Sequence, residues 1–530
     1  MIQNPILKGF NPDPSIIRIG SDYYIATSTF EWFPGVQIHH SKDLVNWELL
    51  ARPLKRKSQL DLIGVPDSGG VWAPCLSYDK GTFYLVYSNV HSFDGVWKDT
   101  PNYLVTTKDI RGDWSEPIFL NSSGFDGSLF HDNDGRKYYL SMLVDHRRGT
   151  FFGGIIIQEF DSATFKLVGS PHLIFQGTEL GLTEGPHLYK KGGYYYLILA
   201  EGGTEYGHAV SMARSKNIMG PYELHPNNPI LSARDFPDAP LQKTGHADLV
   251  ATEQGQWYIV CLAARPLTQR GRCILGRETV IEEIVWKEDD WPYLKNGTCL
   301  IRKNIPIHSA TKISKQLQVE EENFSDPELS IHFQSLRRTI TEDWCSLKAR
   351  PNYLRLYGQE SLSSLHRQSL LARRVQAFHI KASTCVDFQA TSFQQLAGLI
   401  CYYNSYHWHY LHLMGGKDGK RYLQIISCDK YDMQDVLPQA IELPKEGSIY
   451  LQVIWNQADI YFFYALQEGE WTRIDKRLDG SILSDDYVRD EQNRYRPAFT
   501  GAFVGICCQD LSGNKLHADF AYWKYEEIEN

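Results

Sequence analysis

At 530 residues the chain is long enough for two or more domains, each with a sizeable core. Its formal net charge of −9 leaves no basic stripe to meet nucleic-acid phosphates, and it contains no run of about 18 apolar residues that could span a membrane. With 42 % hydrophobic and 13 % aromatic residues, including 31 Tyr and 13 Trp, it has a globular balance with an aromatic surplus. That surplus suits β-sheets and sugar-binding clefts.

The N-terminus, Met1-Ile2-Gln3-Asn4-Pro5, has neither a charged n-region nor an apolar h-region, so no signal peptide is expected. Ten cysteines are scattered without C-x-x-C spacing, and only Cys507 and Cys508 are neighbours. Free thiols in a reducing cytoplasm are therefore expected, rather than a disulfide frame or a zinc site.

From Asp13 to Thr29 the chain reads as an acidic residue, a short apolar strand, a Gly-containing turn and an aromatic-rich strand, which predicts a β-hairpin. The pattern is written five times, anchored at Ile16, Leu76, Leu129, Leu188 and Leu249, which stand 60, 53, 59 and 61 residues apart. Each anchor is followed by a turn and an aromatic pair: Tyr23-Tyr24, Phe83-Tyr84, Tyr138-Tyr139, Tyr194-Tyr195 and Trp257-Tyr258. A second motif falls between copies, as Ser41-Lys42-Asp43-Leu44, Thr107-Lys108-Asp109-Ile110 and Ser215-Lys216-Asn217-Ile218. Four short strands at a near-constant period are the signature of a radial all-β array, and five units close a five-bladed β-propeller. The first strand of each blade lines the axis, so Asp13, Ala73, Asp126, Glu184 and His246 are expected to converge.

The repeats occupy residues 1–307, with Trp286 to Ile307 as the exit from the last blade. Residues 308–323 turn polar and aperiodic and read as a linker. From 324 to 530 the repeat is gone. Short strand-like runs at Tyr353–Tyr357, Ala397–Tyr403, Ile449–Val453 and Ala502–Ile506, spaced by Gly, Asn and Asp turns, predict a β-sandwich.

Carboxylates gathered beside aromatics suggest glycoside hydrolysis. One carboxyl must be protonated to serve the leaving oxygen, and another ionised to activate water or attack. Repulsion among three converging carboxyls splits their pKa values in the required sense. Spacing alone does not choose which is which.

Asn11-Pro12-Asp13-Pro14-Ser15, Phe125-Asp126-Gly127-Ser128-Leu129-Phe130 and Thr183-Glu184-Gly185-Pro186-His187 resemble the three catalytic motifs of glycoside hydrolase family 43. Ser28–Gly35, Leu275–Thr279 and Phe499–Phe503 resemble its β-xylosidase branch, and the likeness runs the length of the chain. The resemblance implies a five-bladed propeller with a lectin-like β-sandwich, and release of D-xylose from the non-reducing end of β-1,4-xylo-oligosaccharides with inversion. An α-L-arabinofuranosidase side activity is compatible with it. The family's general base matches Asp13, its general acid Glu184, and the carboxylate that orients the acid and raises its pKa matches Asp126. The sugar-binding arginine matches Arg277. Phe30, Trp72 and Thr204 match pocket positions, and Phe499 matches an aromatic that the sandwich lends to the pocket rim. Gly127 stands where the family pattern leads one to expect Ala, a small-for-small change. No cofactor is required. His246 marks where a divalent cation could be held through water, and relatives imply a homo-oligomer, dimer or tetramer.

Each residue also has a plainer reading. Asp13 and Asp126 fit turn chemistry, Arg277 beside Glu278 fits a surface ion pair, and Phe30, Trp72, Phe499 and His246 taken singly fit a core. Glu184 is harder to place this way, since Glu is a poor strand opener. The rival functions are an endo-acting arabinanase or xylanase and a non-catalytic carbohydrate-binding propeller. An aromatic at the rim argues against the first, and three intact carboxylates argue against the second.

Overall fold

The computed structural model describes residues 1–148, 151–306, 317–489 and 498–529. Most of the expected linker, 308–316, lies outside the described residues. The chain divides into two compact units: Met1–Leu60, Ser68–Arg270 and Arg277–Ser314 form the first, and Asp61–Asp67, Gly271–Gly276 and Lys315–Asn530 form the second.

The first unit is a five-bladed propeller. Blade one is Ser15–Ile19, Asp22–Thr27, Gln37–Ser41 and Glu48–Ala51. Blade two is Cys75–Asp79, Thr82–Val90, Asn102–Thr107 and Ile118–Asn121, with Gly70–Val71 also paired to its second strand. Blade three runs Gly124–His131, Lys137–Val144, Phe152–Asp161 and Lys166–Phe175. Blade four runs Glu184–Lys191, Tyr194–Glu201, Ala209–Ser215 and Glu223–Leu224, and blade five Gln242–Ala251, Trp257–Ala264, Glu278–Trp286 and Pro292–Leu294. The five innermost strands touch in sequence around the axis, and the fifth touches the first.

The repeated residues explain this closure. The anchors Ile16, Leu76, Leu129, Leu188 and Leu249 are all buried. Strand alternation sends neighbouring residues to opposite faces, so each blade offers apolar side chains to both of its neighbours. Ile16, Tyr23 and Ile25 of blade one share a core with Val250, Tyr258 and Val260 of blade five, and Cys75, Tyr84 and Val86 of blade two share one with Leu129 and Tyr139 of blade three. Polar ties recur in register: Lys137 to Asp79 at 2.5 Å and Lys190 to Asp132 at 2.6 Å each link a blade to the one before. Asp248 accepts from Ile16 N at 2.8 Å and from the Ser15 hydroxyl at 3.1 Å, tying blade five to blade one. The N-terminal segment completes the ring. Ile2 pairs with Ile305, and the Asn4 side chain donates to Ile281 O and Arg302 O, both at 2.8 Å.

The motif between copies is a turn device. Asp43 Oδ1 accepts from Val45 N and Asn46 N, Asp109 Oδ1 from Arg111 N, and Asn217 Oδ1 from Met219 N, at 2.8–3.0 Å. A short side-chain acceptor thus satisfies backbone donors that the bend strips from the sheet ladder.

The second unit is a sandwich of two antiparallel sheets. One is ordered Cys345–Ser346, Leu354–Tyr357, His517–Glu527, His379–Asp387, Ile449–Asn456, Asp459–Ala465 and Thr472–Arg473. The other contains, in order, Asp432–Asp435, Arg421–Asp429, His407–Gly415, Gln395–Asn404, Phe503–Asp510, Ser369–Arg374 and Gln334–Leu336. All four strand runs expected from the sequence lie within or overlap these strands. Two short segments that interrupt the propeller's stretch of sequence belong here: Arg337 donates to Val65 O at 2.6 Å, and Asp486 accepts from Cys273 N at 2.8 Å. No helix among the described residues is long and apolar enough to cross a membrane.

Candidate active site

The functional side chains are aimed by a backbone irregularity shared by four blades. Three residues before the anchor the chain turns left-handed, at Asp13 (φ 53°), Asp126 (φ 56°), Gly185 (φ 58°) and His246 (φ 48°). In blades three, four and five the pairing register shifts at the same place. A bulge of this kind bends the strand and re-aims a side chain, and a non-glycine residue in it costs roughly 1–3 kcal/mol, a cost that clusters at functional sites. Blade four differs in detail: the left-handed position is taken by Gly185, and Glu184 stands one residue earlier. Gly185 suits that place twice over, since a Cβ there would also lie 3.0 Å from the His246 ring.

Asp13 is 5 % exposed. Its Oδ2 accepts from the Ser28 hydroxyl at 2.6 Å and its Oδ1 from Arg277 Nη1 at 3.0 Å. Burial alone would raise its pKa, but the Arg277 guanidinium, His246 and the Ser28 hydroxyl together bring it below the usual carboxylate range. Asp126 and Glu184 are pushed the other way. Burial and then the charge of Asp13 raise Asp126, while burial, Asp126 and Asp13 raise Glu184 well above its ordinary value. The three expected carboxylates are therefore gathered closely enough to feel one another, and both Asp126, pushed up to about 8, and Glu184 hold their protons more tightly than ordinary carboxyls. Asp126 Oδ2 accepts from Gly185 N at 3.1 Å, a bond that favours its ionised form, whereas nothing lowers Glu184 but the charge of Arg277, so Glu184 is the more strongly raised of the two.

Arg277 is 4 % exposed and is not the surface partner of Glu278. It bonds Asp13 and donates to Thr204 Oγ1 at 2.9 Å, whereas Glu278, fully buried, is bonded by Arg265 and by Gly9 N. The Arg277 guanidinium lies 5.6 Å from the centre of the Phe30 ring, which is itself buried beside Phe10. Trp72 packs edge-on against Phe93 and Phe125, with ring centres 5.5 and 4.9 Å apart, and its Nε1 donates to Ser68 O at 2.9 Å. Phe499 is half-buried in the second unit, in the stretch before the strand Phe503–Asp510.

His246 Nδ1 lies 3.9 Å from Asp13 Oδ1. Burial draws its pKa down to about 4, leaving the ring neutral near neutral pH. Among the described residues no group of three or more His, Cys, Asp or Glu side chains is placed to hold a metal ion. The residues present do not form a direct coordination sphere.

Two further residues escaped the sequence. Glu201, fully buried at the end of the second strand of blade four, accepts from Thr178 N, Thr178 Oγ1 and Thr183 Oγ1 at 2.7–2.8 Å. It thereby fixes the residue immediately before Glu184. Its carbonyl accepts from His208 Nδ1 at 3.1 Å, which sets the tautomer of that imidazole. Burial draws His208 to about 3, and its ring fills the space a Cβ at Gly245 would need, with Cδ2 only 2.0 Å from that position. The legible signal was Gly245, a glycine beside His246 that no turn required.

Residues 2–292 match the model of glycosyl hydrolases family 43, and residues 321–526 that of the beta xylosidase C-terminal concanavalin A-like domain. The chain is 52 % identical to a beta-xylosidase of Bacillus subtilis (strain 168), over 99 % of each protein. It is 48 % identical to xylosidase/arabinosidase 43B of Humicola insolens, over 100 % of this chain and 98 % of that one. The crystal structure of xylan beta-1,4-xylosidase from Bacillus halodurans C-125 superposes with a TM-score of 0.94 at 48 % identity, covering 99 % of this chain and 100 % of that one. With propeller and sandwich each matched by the corresponding model, the chain belongs to glycosyl hydrolases family 43 and is a glycoside hydrolase.

Proposed function

We propose that this chain is an exo-acting β-xylosidase that releases D-xylose from the non-reducing end of β-1,4-xylo-oligosaccharides in one step, with inversion. The observation that carries the proposal is the opposite displacement of two carboxyls: Asp13 is held ionised beside Arg277, and Glu184 is held protonated beside Asp126. Inverting hydrolysis needs such a pair, one to take a proton from water and one to give a proton to the leaving oxygen.

In this scheme Glu184 protonates the glycosidic oxygen as the bond to the anomeric carbon lengthens. Asp13 removes a proton from a water that attacks the opposite face of the sugar. Asp126 stays ionised, orients the acid through Gly185 and holds its proton. Arg277, placed by Thr204, binds hydroxyls of the terminal sugar between Phe30 and Trp72. The xylosidic linkage is supported by the printed names of the relatives, and an accompanying α-L-arabinofuranosidase activity by that of the Humicola insolens protein. Exo action is supported by the near-complete burial of Asp13 and Asp126, which suits a chain end better than a chain interior. No metal enters any step. A cation near His246 would have to be held through water. A reducing compartment belongs to the same reading, since none of the ten cysteines is in a disulfide.

Proton NMR of the sugar first released from xylobiose tests the mechanism. The α-anomer of xylose is expected before mutarotation, with the Asp13 and Glu184 carboxyls about 6.5–9.5 Å apart to admit the water. β-Xylose appearing first would overturn the assignment of Asp13 as base.

A further inference from the structure

Among the described residues Trp97 is the one tryptophan that stands mostly in solvent, 73 % exposed. It lies on blade two, between the strands Thr82–Val90 and Asn102–Thr107. The His146 ring, exposed at the end of the second strand of blade three, packs beside it with centres 5.2 Å apart and planes 34° from parallel. Two neighbouring blades thus contribute one ring each to a single open face.

This face is continuous with the catalytic centre. Lys98, next to Trp97, donates to Phe93 O and to Gly95 O, the latter at 2.6 Å, and its ammonium lies 4.2 Å from the centre of the Phe151 ring. Phe93 packs on Trp72. Phe151 packs on Phe152 at 4.2 Å and on Phe125 at 6.3 Å, and Phe125 immediately precedes Asp126 and itself touches Trp72. A run of rings, Trp72, Phe125 and Phe151, therefore leads outward from beside Asp126, and Lys98, the residue after Trp97, joins its outer end through Phe151 and Phe93 O. A single exposed apolar residue needs no explanation, but one paired with a ring of the next blade, on a loop that its neighbour Lys98 ties to the rings beside the site, marks a binding surface.

We propose that Trp97 and His146 form a second sugar-binding platform, outside the catalytic pocket, that holds the leaving-group end of a xylo-oligosaccharide by stacking. The inference rests on the xylo-oligosaccharide reading above. A β-xylopyranose unit has its hydroxyls around its edge and C–H groups on its faces. It can lay an apolar face on an amphipathic ring while its hydroxyls stay in water or meet polar side chains at the margin. The margin is polar: Arg147, clamped to Asp145 at 2.8 and 2.9 Å, follows His146, and exposed Asp94 and Asp99 flank Trp97. Lys98 braces the loop from beneath, so little order has to be gained on binding.

The platform makes chain length matter. Xylobiose, with one sugar beyond the cleaved bond, reaches it least, and longer chains reach it more. The test is kcat/KM for xylose release from xylobiose, xylotriose and xylotetraose by wild type, Trp97→Ala, Trp97→Phe and Phe119→Ala. Phe119 is an exposed aromatic on the outer strand of blade two and serves as the control. Trp97→Ala should lower the ratio of xylotetraose to xylobiose by about tenfold, chiefly through KM. Trp97→Phe should restore most of it, and Phe119→Ala should leave the ratio at the wild-type value. An unchanged ratio in Trp97→Ala overturns the platform. So does a fall in sedimenting mass for that variant, which would mean that a second copy of the chain covers Trp97. A wild type that releases no xylose overturns the proposed activity instead. The platform is then decided by calorimetric titration with xylotetraose, and it stands only if Trp97→Ala binds about tenfold more weakly.

Discussion

The Asp126 carboxylate accepts a hydrogen bond from the backbone N–H of Gly185, the residue that follows Glu184, at 3.1 Å. One carboxylate thus holds the backbone that carries another, and after burial its charge is the next cause that raises the Glu184 pKa. Asp126→Asn separates the two effects, because an amide oxygen still accepts from Gly185 while the charge is gone. Glu184 should then ionise more easily, and the alkaline limb of the kcat/KM profile should move to lower pH, with activity reduced on the order of 10²–10⁴-fold. An alkaline limb that stays in place would mean that Asp126 does not control the acid.

Arg277 acts on the acid limb. Its guanidinium is the main opponent of the burial that would otherwise raise the pKa of Asp13. Arg277→Ala leaves a buried carboxylate without its counter-charge, so Asp13 should hold a proton to higher pH and the acid limb should rise. Because Arg277 binds the terminal sugar in the proposed mechanism, its loss should also lower kcat/KM on the order of 10²-fold or more. An acid limb at its wild-type position would assign that limb to another group.

Gly245 and His208 form a lock. A Cβ at residue 245 would lie 2.0 Å from His208 Cδ2, and the ring has little room to move, being 1 % exposed and bonded to Glu201 O. Gly245→Ala should destabilise the chain by roughly 1–3 kcal/mol in urea unfolding and depress activity by displacing His246. Gly245→Ala combined with His208→Ala should unfold at a higher urea concentration than Gly245→Ala alone. Simple additivity of the two losses would show that the residues do not compete for space.

Stability should fall in mild acid through buried histidines. His412, in the sandwich strand His407–Gly415, is 0 % exposed, donates from Nδ1 to Tyr410 O at 3.2 Å, and is drawn down to about 4 from its usual 6.5. Above pH 6.5 the ring is neutral in both folded and unfolded chains, so pH has no effect through it. Below that, the unfolded chain binds a proton that the native chain refuses, and stability is lost until about pH 4. Replacing His412 with Asn should make the loss between about pH 7 and about pH 5 smaller by roughly 2 kcal/mol, read by urea unfolding at each pH. Equal losses in both chains would show that the native chain accepts the proton.

Glu201 tests how far the acid depends on its support. The conservative change Glu201→Gln puts an amide donor where the hydroxyl of Thr178 or Thr183 now donates, leaving a buried mismatch. A stability loss of about 1–3 kcal/mol is expected, with kcat falling more than KM rises because Thr183 and Glu184 shift together. Wild-type kcat in a destabilised variant would reduce Glu201 to a purely structural role.

The closed ring was legible in the repeat. Five anchors at a near-constant spacing, each followed by a turn and an aromatic pair, are local hairpin signals, and their repetition leaves few ways to bury both faces of every blade. The same reading named Asp13, Asp126 and Glu184, because an acidic residue before an apolar strand is a local departure from strand composition. It also located the change of fold beyond the fifth repeat. The remainder came from contacts between strands and blades. Period alone set Glu184 in register with Asp13 and Asp126, whereas Gly185 takes the left-handed position and Glu184 precedes it. That offset depends on a register slip between two strands, which spacing along one strand does not encode. The plainer reading of Arg277, half of a surface pair with Glu278, fails because the two neighbouring side chains go to opposite sides, one to Asp13 and the other to Arg265. Glu201 and His208 carried no motif at all. Their roles come from contacts with Thr183 and Gly245, close in space through pairing within blade four and packing between blades four and five, and such contacts exist only once the blades have closed.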